Sequence, residues 1–178
     1  MDPNIRDAAW SGTAHGADHT MAIARAVASC AQPGDIIALW GPLGAGKTQF
    51  VRGLAMGLGI DAAQVTSPTF VLVHEYEHPM DGPHLVHIDG YRIFGPGDLE
   101  SIGWETGGGE LARGAVVAIE WADRLGDELG GYYLGVELAH ESPDRRHIAI
   151  TPCGGWLDRT EALLAALNGC DDGRSPNR

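Results

Sequence analysis

Two short stretches of the chain are apolar almost without interruption and predict buried strands: DIIALW over residues 35–40, and VVAIE over 116–120, which ends in an acid. Other stretches carry helical spacing. From Asp18, HTMAIARAVASCA puts Met21, Ala24, Ala28 and Ala31 near one face, and Pro33-Gly34 stops it. QFVRGLAMGLG, residues 49–59, reads as a helix until its glycines end it, and DLESIGW as a short helix. FVLVHEY (70–76) and HLVHID (84–89) predict strands on either side of the turn-rich MDGP. WADRLGDELG (121–130) predicts a helix, and YYLGVELAH and RRHIAIT predict two strands meeting at ESPD. A last helix is expected over 158–167, with Asp158 or Thr160 near its start.

Strands alternating with helices, then a strand pair, predict an α/β domain with a mainly parallel sheet and antiparallel strands added. Residues 1–17, small, polar and Gly/Ala-rich, are expected to be a loosely held arm. Residues 18–168 are expected to form one domain, and 169–178 a disordered tail. No repeat or long linker divides the chain, and 178 residues suit a single core. No apolar run approaches the roughly 20 residues of a membrane span, and the acidic start MDPNIRDAAW lacks an apolar signal segment. Three cysteines without CxxC spacing fit free thiols in a reducing cytoplasm. The net charge of −12 argues against a protein that grips a polyanion by itself.

Between DIIALW and the helix after it lies GPLGAGKT, which fits G-x-x-x-x-G-K-[ST] with Gly41, Gly46, Lys47 and Thr48 in place. Lys47 is the only lysine; every other fixed cation is an arginine. A phosphate-cradling loop needs a slim ammonium rather than a planar guanidinium fork, which accounts for that exception. Glycines let the loop wrap a phosphate with its N–H groups inward, and the following helix adds positive potential. Lys47 would then reach the β- and γ-phosphates and the Thr48 hydroxyl would ligate Mg²⁺. A guanine site usually needs N/T-K-x-D, which a chain with one committed lysine lacks, so ATP is favoured by exclusion. The expected fold is a P-loop NTPase-like three-layer domain. Asp89 and Glu120, each closing an apolar strand, are the candidate acids for Mg²⁺ and for attacking water.

GPLGAGKT, SPTF (67–70), HIDGYR (87–92) and IEW (119–121) follow one another in this order. With them the chain, from about Thr20 to about Ile150, resembles the TsaE family, also called YjeE. The resemblance implies a cytoplasmic ATPase needed for threonylcarbamoyladenosine formation in tRNA. It implies transferase partners of the TsaD and TsaB type, reset by ATP hydrolysis, with tRNA met only indirectly. It implies that Lys47 and Thr48 serve phosphate and Mg²⁺, that Glu120 is the second Mg²⁺-linked acid, and that Asp89 takes part in catalysis. Gly41, Leu43, Gly44, Ala45, Gly46 and Gln49 complete the loop, Trp121 adjoins it, and Thr20 and Arg145 fall at the nucleotide's periphery.

Read without the family, Ser67 before Pro68 is biased to extended backbone, so SPTF stiffly leads into a strand. Thr69 is then either a switch-type contact to the γ-phosphate or part of a plain turn. His87 shares a strand face with Asp89, and alternation alone favours a core histidine. Arg145 and Arg146 read by default as surface hairpin charges. Pro42 stands where the family usually has an acid and removes one N–H donor; Gln49 replaces its usual second threonine. Two other classes fit a phosphate loop: a small-molecule kinase, and a non-hydrolysing nucleotide-dependent interaction module. The first usually needs an arginine-rich lid, whereas 105–115 holds only Arg113.

Overall fold

The computed structural model describes residues 8–68 and 71–170. Seven strands form one sheet: β1 (Trp10–His15), β2 (Ile36–Trp40), β3 (Val73–Tyr76), β4 (His84–Asp89), β5 (Ala115–Glu120), β6 (Leu134–Ser142) and β7 (Arg145–Pro152). Their order across the sheet is β1-β7-β6-β2-β5-β4-β3. The inner four strands, β6-β2-β5-β4, run parallel. β7 and β1 extend one side antiparallel and β3 the other. This is a P-loop NTPase-like α/β fold with a parallel core and antiparallel additions.

The uninterrupted apolar runs are the central strands because both of their faces are covered. In β2, Ile37 and Leu39 pack toward α1 (Ala17–Ala28), α2 (Lys47–Gly57) and α4 (Thr160–Asn168). Ile36, Ala38 and Trp40 point to the other face, which is covered by α3 (Pro96–Ser101) and a series of 3-10 turns. At the lower edge of β2, Arg159 forks onto Asp35 at 2.6 and 2.7 Å and stacks over Trp156, tying the approach to α4 to the sheet. That hydrogen bonding raises the guanidinium's already high pKa.

Three segments depart from the expected pattern. Residues 10–15, expected in a loose arm, form edge strand β1 on β7, with Trp10 and Ala14 inward. The remaining Ser, Gly, Thr and His of this strand are exposed or half-buried, so its apolar signal is weak. Residues 1–7 and 171–178 of the expected arm and tail lie outside the described residues. Residues 121–130, expected to be a helix, form two 3-10 turns, Ala122–Arg124 and Gly126–Leu129. Ala122, Leu125 and Leu129 do face the core at helical spacing, but Gly126 is left-handed (φ 52°) and breaks the helix between them. The strand expected over 70–76 is shorter, because the N–H groups of Val71 and Leu72 turn back to the Pro68 carbonyl.

Helix α2 ends at its glycines as expected, at Gly57 and just before left-handed Gly59 (φ 84°), while Gly53 and Gly57 also let it approach α1. A Cβ on Gly53 would sit 2.5 Å from the Met21 carbonyl oxygen and 2.6 Å from the Ala24 Cβ. Gly53→Ala would gain about 1 kcal/mol of helix propensity. The overpacking it causes should cost about 1–3 kcal/mol. A net loss of stability is therefore expected in chemical denaturation. A gain would mean that the seam between α1 and α2 opens without cost.

Candidate functional site

Helix α2 begins at Lys47, directly after the loop that ends in left-handed Gly46 (φ 105°). The loop packs tightly against β6: a Cβ on Gly41 would come 2.2 Å from the Leu138 carbonyl oxygen. Lys47 returns over this loop, donating to the Gly41 and Pro42 carbonyls at 2.7 and 3.0 Å. Pro42, which lacks an N–H, thus contributes through its carbonyl.

The two acids expected at strand ends face each other in register, Asp89 of β4 beside Glu120 of β5. Both side chains point to the α2 side of the sheet, as period-2 alternation requires. Thr48 donates its hydroxyl to Glu120 Oε1 at 2.7 Å. His87, two residues before Asp89, approaches the same oxygen with Nε2 at 2.9 Å. Asp89 Oδ2 accepts from the Ser67 hydroxyl at 3.0 Å, and Oδ1 from the Tyr91 N–H at 3.0 Å.

Trp121 has a left-handed backbone (φ 57°), a strained state for a bulky residue that costs about 1–3 kcal/mol. Its ring lies 3.7 Å below the Lys47 ammonium and 5.2 Å from the Tyr91 ring. Burial lowers the Lys47 pKa, and the charges of Glu120, Asp89 and Asp123 partly restore it. An ammonium so enclosed and so weakly hydrated is arranged to meet further negative charge.

Ser67, Asp89, Tyr91, Glu120 and Trp121 line a cleft of about 570 Å³; the fully buried His87 does not. Leu43, Gly44, Gly46, Lys47, Thr48 and Gln49 line it, whereas Gly41 and Ala45 do not. A second cleft of about 300 Å³, reaching Thr20, shares Gly44, Gly46 and Gln49 with the first. Arg146 lines this second cleft, its Nη1 held by the carbonyls of Ser142, Pro143 and Arg145. Arg145, the expected peripheral arginine, is exposed and lines neither cleft, since neighbouring strand residues face opposite ways. Thr69 lies outside the described residues.

Most of the chain matches proteins of one kind. The family model for "Threonylcarbamoyl adenosine biosynthesis protein TsaE" matches residues 14–148. The chain belongs to the TsaE family. A TsaE-family relative from Streptomyces coelicolor, named tRNA threonylcarbamoyladenosine biosynthesis protein TsaE, is 35% identical over 80% of this chain and 97% of its own. A Bacillus subtilis protein of the same name is 37% identical over 87% of this chain and 91% of its own. The crystal structure of Bacillus subtilis YdiB superposes with a TM-score of 0.67 at 32% identity, covering 92% of this chain and 96% of that one.

Within this TsaE-family site, sequence reasoning missed Ser67, the role of His87, Gly90 and Arg146. Ser67 stood beside the residue that drew attention, Thr69. Gly90 is required because the Trp121 carbonyl oxygen passes 2.8 Å from where its Cβ would be, so HIDGYR and IEW touch through their backbones. The shared face of His87 and Asp89 was the one available signal for the histidine.

The donor set suits Mg²⁺ and a polyphosphate. Thr48 and Glu120 offer hard oxygens a hydrogen bond apart at the start of a helix, beside a buried ammonium. Among the described residues no group of three or more His, Cys, Asp or Glu side chains could hold a metal alone. That is compatible with an ion which commonly completes its shell with water and substrate phosphates. No helix among the described residues is long and apolar enough to cross a membrane.

Proposed function

We propose that this chain binds ATP with Mg²⁺ and hydrolyses it as a subunit of the system that forms threonylcarbamoyladenosine in tRNA. The single observation that carries the reading is the convergence of Lys47, Thr48, Asp89 and Glu120 on one cleft at the C-terminal ends of parallel strands. Lys47 and the loop N–H groups hold the β- and γ-phosphates. Thr48, its hydroxyl donating to Glu120, and Glu120 itself are the residues that would hold Mg²⁺. Bound Mg²⁺ would supply neutralisation of the charge that develops on the phosphates. Asp89, one strand further from Thr48 and fixed by Ser67 and Tyr91, orients the attacking water. The second cleft, reached past Gly44 and Gln49, takes the base and ribose.

The partners are threonylcarbamoyl transferase subunits of the TsaD and TsaB type, met in the cytoplasm, and hydrolysis resets them between turnovers. They hold the tRNA, since a chain of net charge −12 is ill suited to grip it. The kinase alternative is disfavoured because Arg113 is exposed and paired with Glu110 at 2.7 Å.

Hydrolysis by the isolated chain is expected to be slow and to rise when the transferase subunits are added, with Lys47→Ala as the blank. A rate that does not respond to those subunits would count against coupling. Phosphate appearing on an added acceptor faster than free phosphate would favour a kinase.

A further inference from the structure

We infer that His87 is a positioning residue whose Nε2–H pins one oxygen of Glu120 and leaves the other for the metal side of the cleft. The inference rests on the proposed Mg²⁺–nucleotide reading. His87 is fully buried in β4, in register with Ala118 of β5. The small side chain opposite lets the imidazole reach along β5 to Glu120, 2.9 Å away.

A carboxylate oxygen only accepts, so a proton lies on Nε2. Nδ1 is buried and meets no hydrogen-bond partner among the described residues. An aliphatic side chain would avoid that orphaned atom, as Leu85 does two residues earlier on the same face. Packing alone therefore gives no reason for histidine here; the bond to Glu120 does.

Oε1 of Glu120 receives both the His87 N–H and the Thr48 hydroxyl. No protein donor among the described residues reaches Oε2, and Glu120 lines the cleft. Two donors on one oxygen set the rotation of the carboxylate. Without His87 the carboxylate can turn toward Lys47, for which it is the strongest of the nearby countercharges. That turn would withdraw the acid from the metal side of the cleft. Groups that orient metal-linked ligands in this way typically govern affinity or activity by about 10–100-fold.

The test uses the full chain with His87→Leu and His87→Gln, whose amide N–H can replace Nε2–H. Binding of a non-hydrolysable ATP analogue is followed by calorimetry across a Mg²⁺ series, beside thermal unfolding and the split of kcat from KM. His87→Leu should raise the Mg²⁺ needed for half-maximal binding about 10–100-fold and lower kcat, with metal-free binding of the analogue little changed. His87→Gln should recover most of this. In a Glu120→Ala background, His87→Leu should add nothing to the metal requirement.

Nitrogen-15 NMR of the nucleotide-free parent should show the proton on Nε2, a readout that does not depend on any variant folding. A parental Mg²⁺ requirement in His87→Leu overturns the inference. So does a defect in His87→Gln equal to that in His87→Leu, or an Nε2 found without a proton. A parent that binds the analogue without any dependence on Mg²⁺ overturns the functional reading itself, and the two failures are thereby distinguished.

Discussion

Lys47→Ala should lower ATP hydrolysis by about 10²–10³-fold, the usual loss when one preorganised charge is removed from a developing anion. The fold should survive, because the side chain's own contacts are to two loop carbonyls and one ring face. Lys47→Arg should not rescue it. The ammonium sits in a slot closed by the loop below and Trp121 beside it, too narrow for a planar fork. The same burial gives a pH signature. Desolvation lowers the lysine pKa in the free protein, and bound phosphates must raise it again. Nucleotide affinity should then fall as pH rises through the lowered free-protein value, below the pH at which an exposed lysine would discharge. Calorimetry across alkaline pH checks this. Constant affinity up to the ordinary lysine range would show that Lys47 is not the phosphate contact.

Glu120→Gln should separate binding from hydrolysis. The amide oxygen still accepts from Thr48 and from His87, so the local hydrogen bonds are kept while the charge is lost. Nucleotide binding without metal should persist, since one negative charge facing the phosphates has gone. The gain in affinity on adding Mg²⁺ should largely disappear, and hydrolysis should fall by about 10²–10³-fold. Asp89→Asn should behave differently, because Asp89 is tied to Ser67 and Tyr91 rather than to Thr48. It should retain the Mg²⁺-dependent gain in affinity and lose turnover. Identical Mg²⁺ titrations for the two variants would remove the division of labour between the acids.

Much of the fold was legible because the central strands obey the plainest rule available. β2 and β5 are buried on both faces, so continuous apolar runs mark them, and the glycine-rich loop between β2 and α2 is punctuated by a motif with a mechanism. Edge strand β1 was not legible. It buries only Trp10 and Ala14 and owes its form to pairing with β7, which lies far along the chain. The 121–130 segment misled for the opposite reason. Its apolar spacing is helical, yet a left-handed Gly126 splits it into two turns.

At the site, the sequence by itself determined the chemistry on offer: a lone lysine and a hydroxyl at a loop before a helix, and two acids closing apolar strands. Local spacing suffices for these, because a loop motif and a strand end are local objects. Only the tertiary structure decided which groups meet. The parallel register of β4 on β5 sets Asp89 beside Glu120 and lets His87 reach that acid from the neighbouring strand. The close seam at Gly90 brings Tyr91 to Trp121, and the strained Trp121 backbone returns its ring to Lys47. Alternation along β7 exposes Arg145 and places Arg146 at the second cleft. Each of these depends on a pairing across tens of residues, where a shift of one position would turn the side chain to the opposite face.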